Sequence, residues 1–245
     1  EEIRRLNAEL EQRVADRTAQ LTAANQEMEA FSYSVSHDLR APLRRLDGFS
    51  GILIQDYAAQ LDAQGLHYLT RIQESARRMD ELVNDLLTLS RITRAEFARQ
   101  PVDLSTVAER IAADLAAQHP QRQVEYKVQP GMHVNADGNL LRIGMENLLT
   151  NAFKFTSQKP RAVIEVTAAE QNGETVYCVR DNGAGFDMEY AGRLFAPFQR
   201  LHSDKEFPGV GIGLATVKRI ILRHGGRVWA EGEVDKGAAF YFTLG

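Results

Sequence analysis

Apolar residues recur at alternating spacings of four and three along the first 35 residues, which predicts a long helix with an apolar seam along one side. The two seam positions hold Ile3, Asn7, Leu10, Val14, Arg17, Leu21, Ala24, Met28, Phe31 and Val35. This seven-residue repeat with charged flanks favours a coiled coil in a parallel homodimer, in which the polar Asn7 and Arg17 set the register. The alternative is a single amphipathic helix that packs on its own domain.

The apolar repeat continues and predicts a helical hairpin. The first helix should run to about Tyr57, with residues 62–65 as the turn. A second stripe, expected to form the core, holds Leu69, Ile72, Ala76, Met79, Val83 and Leu86. The second helix should pack antiparallel on the first, so that two chains form a four-helix bundle.

After Ile92 the pattern changes, because Pro101 stops a helix and short alternating runs begin to alternate with helices. We predict a multi-domain chain with a coiled-coil helix over 1–30, an all-α dimerisation domain over 31–97 and an α+β domain over 98–245. Asp103 or Ser105 and Asp137 are suited to begin its helices. Its predicted helices span 107–118, 139–155 and 213–224, and its predicted strands span 124–128, 162–169, 175–180, 227–231 and 239–244.

Composition narrows the class of protein. The 245 residues are 44% hydrophobic and 25% charged, as in ordinary globular proteins. The net charge of -4 argues against a nucleic-acid-binding protein, and the single Cys178 fits a reducing cytoplasm. No apolar run is long enough to span a membrane, so we expect no membrane insertion. The chain begins without a helix cap, so we expect an upstream domain to be missing.

Two kinds of motif in the second domain suggest phosphate chemistry. Asn147, Asn151 and Lys154 should share one helix face, where amide oxygens suit Mg²⁺ and the ammonium suits phosphate, although an ordinary polar face fits equally. The glycine-rich run 209–213 opens a helix, as phosphate cradles do. We expect no parallel βαβ unit before it, which argues against a dinucleotide-binding fold.

The turn Asp181-Asn-Gly-Ala-Gly185 ends a strand. A buried carboxylate there can accept a hydrogen bond from an exocyclic amine, while the glycines let a flat ring approach, although a simple turn has the same residues. In the first domain, His37 and Asp38 precede Pro42 inside a helical run, and the helix should be loosened or kinked there. His37 lies off the seam and should face solvent.

Together these motifs resemble the conserved boxes of sensor histidine kinases. His37-Asp-Leu-Arg-Ala-Pro-Leu43 looks like the H box, and the wording around it is most similar to bacteriophytochrome-like and PAS-linked kinases. The N, G1, F, G2 and G3 boxes are matched by Asn151, by 181–185, by 195–198, by 209–213 and by Gly237. The resemblance implies a helical phosphoacceptor domain followed by a GHKL-type (Bergerat) α/β sandwich that binds ATP.

The same resemblance implies roles for individual residues. His37 would accept the γ-phosphoryl of ATP, Asp38 would orient it or take its proton, and Arg200 would steady the developing charge. Asp181 would bind adenine and Asn151 would ligate Mg²⁺, while Asn147 and Lys154 would contact the phosphate-metal cluster. The other implied nucleotide contacts are Gly183, Gly185, Phe195, Phe198, Gly209, Gly211, Gly213 and Leu214, with residues 187–208 as a mobile lid.

The implied activity is that of a cytoplasmic protein histidine kinase, a homodimer that passes its phosphoryl group to an aspartate of a response-regulator receiver domain. Two alternatives are a GHKL-fold ATP hydrolase, whose catalytic Glu is here replaced by Asn147, and a non-catalytic dimeric scaffold. Three positions depart from the family. Ala41 lacks the polar group that positions water for receiver dephosphorylation, and Val210 and Ala239 lack hydroxyls, which should modestly weaken nucleotide binding.

Overall fold

The fold is described from a computed structural model, which covers residues 2–94, 96–203, 206–207 and 209–245. Within helix α1 many side chains lie outside the described set, including that of His37, so the predicted exposure of its ring is not described. The chain divides into two compact units, Glu1–Ser90 and Arg91–Gly245. Among the described helices, none combines the length and apolar character that a bilayer crossing needs.

The first unit is a helical hairpin. Helix α1 spans Glu2–Tyr57 with Pro42 inside it, a 3₁₀ turn spans Ala58–Gln60, and helix α2 spans Ala63–Arg94. The carboxylate of Asp62 accepts a hydrogen bond from the Gly65 N–H at 2.7 Å, as a residue that begins a helix does. The predicted turn at 62–65 is therefore wrong for residues 63–65, which already lie in the first turn of α2.

The hairpin is antiparallel, as predicted. Leu43 of α1 packs on Val83 and Leu87 of α2, and the Arg40 guanidinium donates to the Asn84 side chain at 3.0 Å. Nearer the turn, Arg77 and Asp47 form an ion pair at 2.8 Å.

Part of the predicted core is not buried within one chain. Ile72 and Met79 are each 44% exposed, which corrects the prediction that the whole α2 stripe is core. The reason is that only the side of α2 around Ala76, Val83 and Leu87 faces α1.

The described residues of the second unit form three long helices and seven strands. The helices are α3 (Leu104–Gln118), α4 (Gly138–Phe155) and α5 (Gly213–Arg223). The strands are β1 (Gln100–Asp103), β2 (Val124–Val128), β3 (His133–Ala136), β4 (Ala162–Gln171), β5 (Glu174–Asp181), β6 (Val228–Glu233) and β7 (Gly237–Phe242). A short 3₁₀ helix spans Met188–Arg193.

The predicted helix starts and hairpin are confirmed. Asp103 caps α3 and Asp137 caps α4, each accepting two backbone N–H bonds. Asn172 and Gly173 join β4 to β5 with positive φ angles of 55° and 79°, as a tight hairpin turn requires.

The five-stranded sheet has the order β2-β4-β5-β7-β6. All neighbouring pairs are antiparallel except β2 and β4, which are parallel and are joined through β3 and α4. The expectation that no parallel βαβ unit precedes the glycine-rich loop is therefore wrong. A parallel pair needs a crossover, and α4 supplies it.

One face of the sheet packs against the helices and the other does not. Residues from α3, α4, α5 and the sheet share one core, which includes Leu104, Leu148, Leu149, Ile164, Val179, Val217, Ile221 and Phe240. Asp181 lies on this helix-facing side, in step with Tyr177 and Val179. The turn that follows β5 meets the carboxyl end of α4, where the Ala184 N–H donates to the Phe155 carbonyl at 3.1 Å.

Candidate functional site

The polar face of α4 meets the amino terminus of α5. The Asn147 amide donates to the Ile143 carbonyl at 2.9 Å, which leaves its oxygen directed at Gly213, the first residue of α5. A β-carbon added to Gly213 would lie 2.6 Å from Asn147 Oδ1 and 3.8 Å from Asn151 Nδ2. Both amides predicted to act together therefore lie at the start of the glycine-opened helix.

Glycines shape the loop that leads into α5. Gly209 and Gly211 have φ angles of 151° and 81°, and a β-carbon on Gly211 would lie 2.7 Å from the Gln199 carbonyl. The Phe198 N–H donates to the Gly211 carbonyl at 2.9 Å, which ties the 195–198 motif to this loop. No side chain in the described part of the chain caps the first amides of α5, so they are available to an anion.

Two cationic side chains flank the loop. A β-carbon on Gly209 would lie 3.1 Å from Lys154 Nζ, and one on Gly211 would lie 3.0 Å from Arg200 Cγ. Burial lowers the pKa of Lys154, and the charge of Arg200 lowers it further. The two positive charges repel each other, and a phosphate that binds between them offsets this repulsion.

The Asp181 carboxyl lies at the end of β5 and is 4% exposed. It accepts a hydrogen bond from the Gly183 N–H at 2.8 Å. Loss of solvation on burial raises the pKa of Asp181 to about 6, more than the hydrogen bonds from Gly183 and Ala238 lower it. A buried acceptor of this kind gains from a donor on a ligand, such as an exocyclic amine.

The turn after Asp181 is rigid because there is no room for side chains. A β-carbon on Gly183 would lie 2.5 Å from the Phe155 carbonyl, and one on Gly185 would overlap the Glu233 carbonyl. Gly237, at a φ of 107°, lies against the Asp181 backbone in the same way. Backbone bonds from Ala184 to Phe155 at 3.1 Å and from Asp235 to Ala184 at 2.7 Å complete the frame.

Some predicted residues do not present their side chains to this site. Phe195 and Leu214 pack against the hydrophobic core, and Phe198 is 57% exposed at a φ of 62°. His37 and Asp38 belong to the other unit. Ala239 pairs with Arg180 and not with Asp181, so its side chain points to the opposite face of the sheet, and the register gives no support to the prediction that a hydroxyl there would contact the nucleotide.

The donor set fits a magnesium ion only in part. Among described residues, no three His, Cys, Asp or Glu side chains cluster in a way that could hold a metal. The amide of Asn151 is one hard oxygen ligand, so a bound Mg²⁺ would depend on substrate phosphates and water for the rest of its shell.

Sequence reasoning missed three rings beside the site. Phe155, His202 and Phe207 contact one another, with ring centroids 5.0 to 5.3 Å apart. Their only signal in the sequence is that aromatic residues follow Lys154 and precede the glycine-rich loop.

Asn147 stands at the position that holds the catalytic Glu in the GHKL-fold ATP hydrolases. Glu146 lies one residue before Asn147, is exposed and pairs with Arg142 at 3.0 Å on the solvent side of α4. Among the described residues, the arrangement offers a buried acceptor for a base and amides and cations for phosphates, and neither Glu146 nor Asn147 supplies a carboxylate that could activate water.

Comparison with known proteins agrees with this geometry. Residues 27–95 match the family described as His Kinase A (phospho-acceptor) domain, and residues 136–245 match the family described as histidine kinase-, DNA gyrase B-, and HSP90-like ATPase. The methanogenesis regulatory histidine kinase FilI of Methanothrix harundinacea is 36% identical over 98% of this chain. Cyanobacterial phytochrome A of Nostoc sp. is 33% identical over 99% of it.

The chain spans 26% of the length of FilI and 32% of that of phytochrome A. Among solved structures, full-length ShkA in complex with AMPPNP is similar, with a TM-score of 0.64 at 29% identity. That match covers 87% of this chain and 45% of the other.

Proposed function

Because this chain belongs to the sensor histidine kinases, we propose that it transfers the γ-phosphoryl group of ATP to His37 and then to an aspartate of a response-regulator receiver domain. The observation that carries the proposal is the convergence of Asn147 and Asn151 on Gly213, the first residue of α5. This convergence places the two side-chain amides beside the first backbone N–H groups of α5, which no side chain among the described residues caps.

The nucleotide is recognised at both ends of the site. Asp181 accepts a hydrogen bond from the adenine amino group, and Gly183 and Gly185 allow the ring to approach the backbone. At the other end, the amides of the 209–213 loop and of Gly213 and Leu214 bind the phosphates, with Lys154 as counter-charge.

Arg200 and Lys154 stabilise the charge that develops as the phosphoryl group leaves ADP. Asn151 would hold Mg²⁺, which would neutralise phosphate charge when bound, and Asn147 would support the same cluster. The side chains that face the phosphates are thus positive or neutral, as electrostatic stabilisation of the transferred group requires.

His37 is the nucleophile, and its neighbour Asp38, which is exposed, orients the imidazole or takes its proton. The position of Glu146 on the outer side of α4 favours this reaction over ATP hydrolysis, since its carboxylate points away from the phosphates. Asn147, at the position of the hydrolases' glutamate, has an amide that cannot activate water.

We also propose the domain organisation 1–30, 31–97 and 98–245, with a homodimer that forms through the hairpin. An apolar groove of about 460 Å³ lies between Leu46 of α1 and Tyr68, Ile72 and Met79 of α2. A second hairpin would cover these side chains in a four-helix bundle. In the whole protein an upstream sensor domain would act on this core, in the cytoplasm.

The function is tested by incubating the protein with γ-labelled ATP and Mg²⁺ and comparing it with His37→Gln. The expected result is label in the protein that is stable to base, labile to acid and absent from the variant. Steady release of phosphate with no labelled protein would instead assign the chain to the ATP hydrolases. If the protein shows no Mg²⁺-dependent ATP binding, the remaining hypothesis is a non-catalytic dimeric scaffold.

A further inference from the structure

His202 forms a hydrogen bond that joins two separate parts of the nucleotide site. Its Nε2 lies 2.9 Å from the Gly185 carbonyl oxygen, and because a carbonyl only accepts, the imidazole Nε2–H is the donor. Gly185 belongs to the turn that follows Asp181. His202 belongs to the lid segment, which we define as residues 199–203 and 206–207.

The same imidazole packs in a cluster of three rings. Its centroid lies 5.3 Å from that of Phe155 at the end of α4 and 5.1 Å from that of Phe207. Phe207 is 3% exposed although its neighbour Glu206 is exposed, so the lid segment buries one ring against the domain. The contact with Phe207 is edge-to-face and the contact with Phe155 is tilted, and such ring contacts add to the gain from apolar burial.

The partner of the His202 bond is fixed independently of the lid. Gly185 has no space for a β-carbon beside the Glu233 carbonyl, and Ala184 is held by backbone bonds to Phe155 and Asp235. The turn is therefore the anchor and the lid segment is the part that the bond holds. Loss of the bond should release the lid and leave the turn in place.

The anchored lid in turn holds a cation at the phosphate end. The Arg200 guanidinium donates to the Phe207 carbonyl at 2.8 Å, and the positive charge of Arg200 acts on Lys154. Displacement of Phe207 would therefore move Arg200 as well. His202 is linked to both ends of the site, to the adenine turn directly and to the phosphate end through Phe207.

We propose that His202 is a positioning residue that fastens the lid segment to Gly185 and thereby retains the nucleotide and aligns Arg200. This inference rests on the proposed ATP site. His202 does not contact the reacting atoms, so its effect should appear in nucleotide affinity and in the rate of phosphorylation, and hardly in the stability of the nucleotide-free protein.

His202→Phe keeps a ring for Phe155 and Phe207 and removes the hydrogen bond. We expect the Kd for AMPPNP, measured by calorimetry, to rise about three- to tenfold, which is the range for one lost hydrogen bond. The phosphorylation rate at saturating ATP should also fall, because Arg200 is less well aligned. His202→Gln, which restores an N–H donor, should recover part of the affinity. His133→Phe on β3, where the histidine is exposed, is the matched control and should change neither quantity.

The outcomes separate this inference from the function on which it rests. If the unaltered protein does not bind AMPPNP, the ATP site itself is wrong. If it binds and His202→Phe binds equally well, the positioning role is wrong. Tighter binding by His202→Phe would mean that the ring cluster blocks the pocket, and this would overturn the proposal. Loss of the melting transition in both His202→Phe and His202→Gln would show that His202 is needed for folding, which would also overturn it.

Discussion

Gly213 and Asn147 are in such close contact that a β-carbon on the glycine would lie 2.6 Å from the amide oxygen. This contact brings α4 and the glycine-rich loop to within the reach of one phosphate group. It also makes Gly213 a residue whose substitution should damage the site without damaging the helix that it begins.

Gly213→Ala is predicted to weaken nucleotide binding by about tenfold or more, because the added methyl group displaces Asn147 from the start of α5. Alanine is otherwise favourable in a helix, so the melting temperature should not fall. Gly144→Ala is a matched control on α4, since its β-carbon would lie 3.7 Å from Ile220, an ordinary contact. Equal nucleotide affinity for both variants would show that the Asn147 contact is unimportant.

Asp181→Asn should make the nucleotide-free protein more stable above pH 6 and the nucleotide complex weaker. The pKa of Asp181 is raised from 3.8 to about 6, so its favourable contribution exists at low pH and is lost as the pH rises through about 6. The ionised carboxyl then costs up to about 3 kcal/mol, most of which the amide avoids.

Denaturant unfolding at pH 7.5 and pH 4 measures this effect. We expect a gain of about 1 to 3 kcal/mol at the higher pH and little gain at the lower pH. Nucleotide affinity at pH 7.5 should fall about tenfold or more. A variant that is less stable at both values would indicate that the native carboxyl is ionised and well compensated.

The stability of the second unit should also depend on His224, which is fully buried. Its Nε2 accepts the Asp137 N–H at 3.0 Å and its Nδ1 lies 2.8 Å from the Ile220 carbonyl, so the ring is held as the neutral tautomer with the proton on Nδ1. Burial lowers the pKa of His224, and Arg99 and Arg223 lower it further.

Because the pKa of His224 is lower in the folded protein than in the unfolded chain, the neutral ring contributes fully to stability above the pKa of the unfolded chain. This contribution is lost as the pH falls below that pKa. We expect the free energy of unfolding to drop below about pH 6.5, by at most about 1.4 kcal/mol per pH unit. Asp181 acts in the opposite direction, so the measurement is best made in Asp181→Asn. The slope should vanish when His224→Asn is added, and an unchanged slope would assign it to another group.

Ala41→Thr should increase the dephosphorylation of the cognate phospho-receiver. Ala41 is exposed on α1, four residues after His37, and it lacks a group that can hold the attacking water. A hydroxyl there is expected to raise the rate by up to about tenfold, measured as loss of label from the receiver in the presence of ADP. Ala41→Val has nearly the same shape without the hydroxyl and should stay slow. Rapid dephosphorylation by the unaltered protein would contradict the account.

Local signals in the sequence predicted much of the fold. Asp103 and Asp137 begin their helices because their carboxylates bond the first free amides, and Asn172-Gly173 turns the chain because both residues tolerate positive φ. The shared face of Asn147, Asn151 and Lys154 follows from helical spacing alone.

Long-range relationships could not be predicted in this way. The parallel pairing of β2 with β4 depends on where α4 carries the chain, and the two-stranded sheet of β1 and β3 consists of four-residue strands, one of which contains Pro101. The face of the sheet to which Ala239 points follows from its pairing with Arg180, and that pairing is known only from the register. The ring contacts of His202 join residues 155, 202 and 207, and no spacing rule connects them.

The central claim, that ATP at this site phosphorylates His37, is tested most directly by counting products in a single turnover. With limiting γ-labelled ATP and Mg²⁺, the ADP formed and the acid-labile label in the protein should rise together in a one-to-one ratio, with all label in the peptide that contains His37. An excess of ADP over labelled protein from the earliest times, or label that remains in His37→Gln, would contradict it.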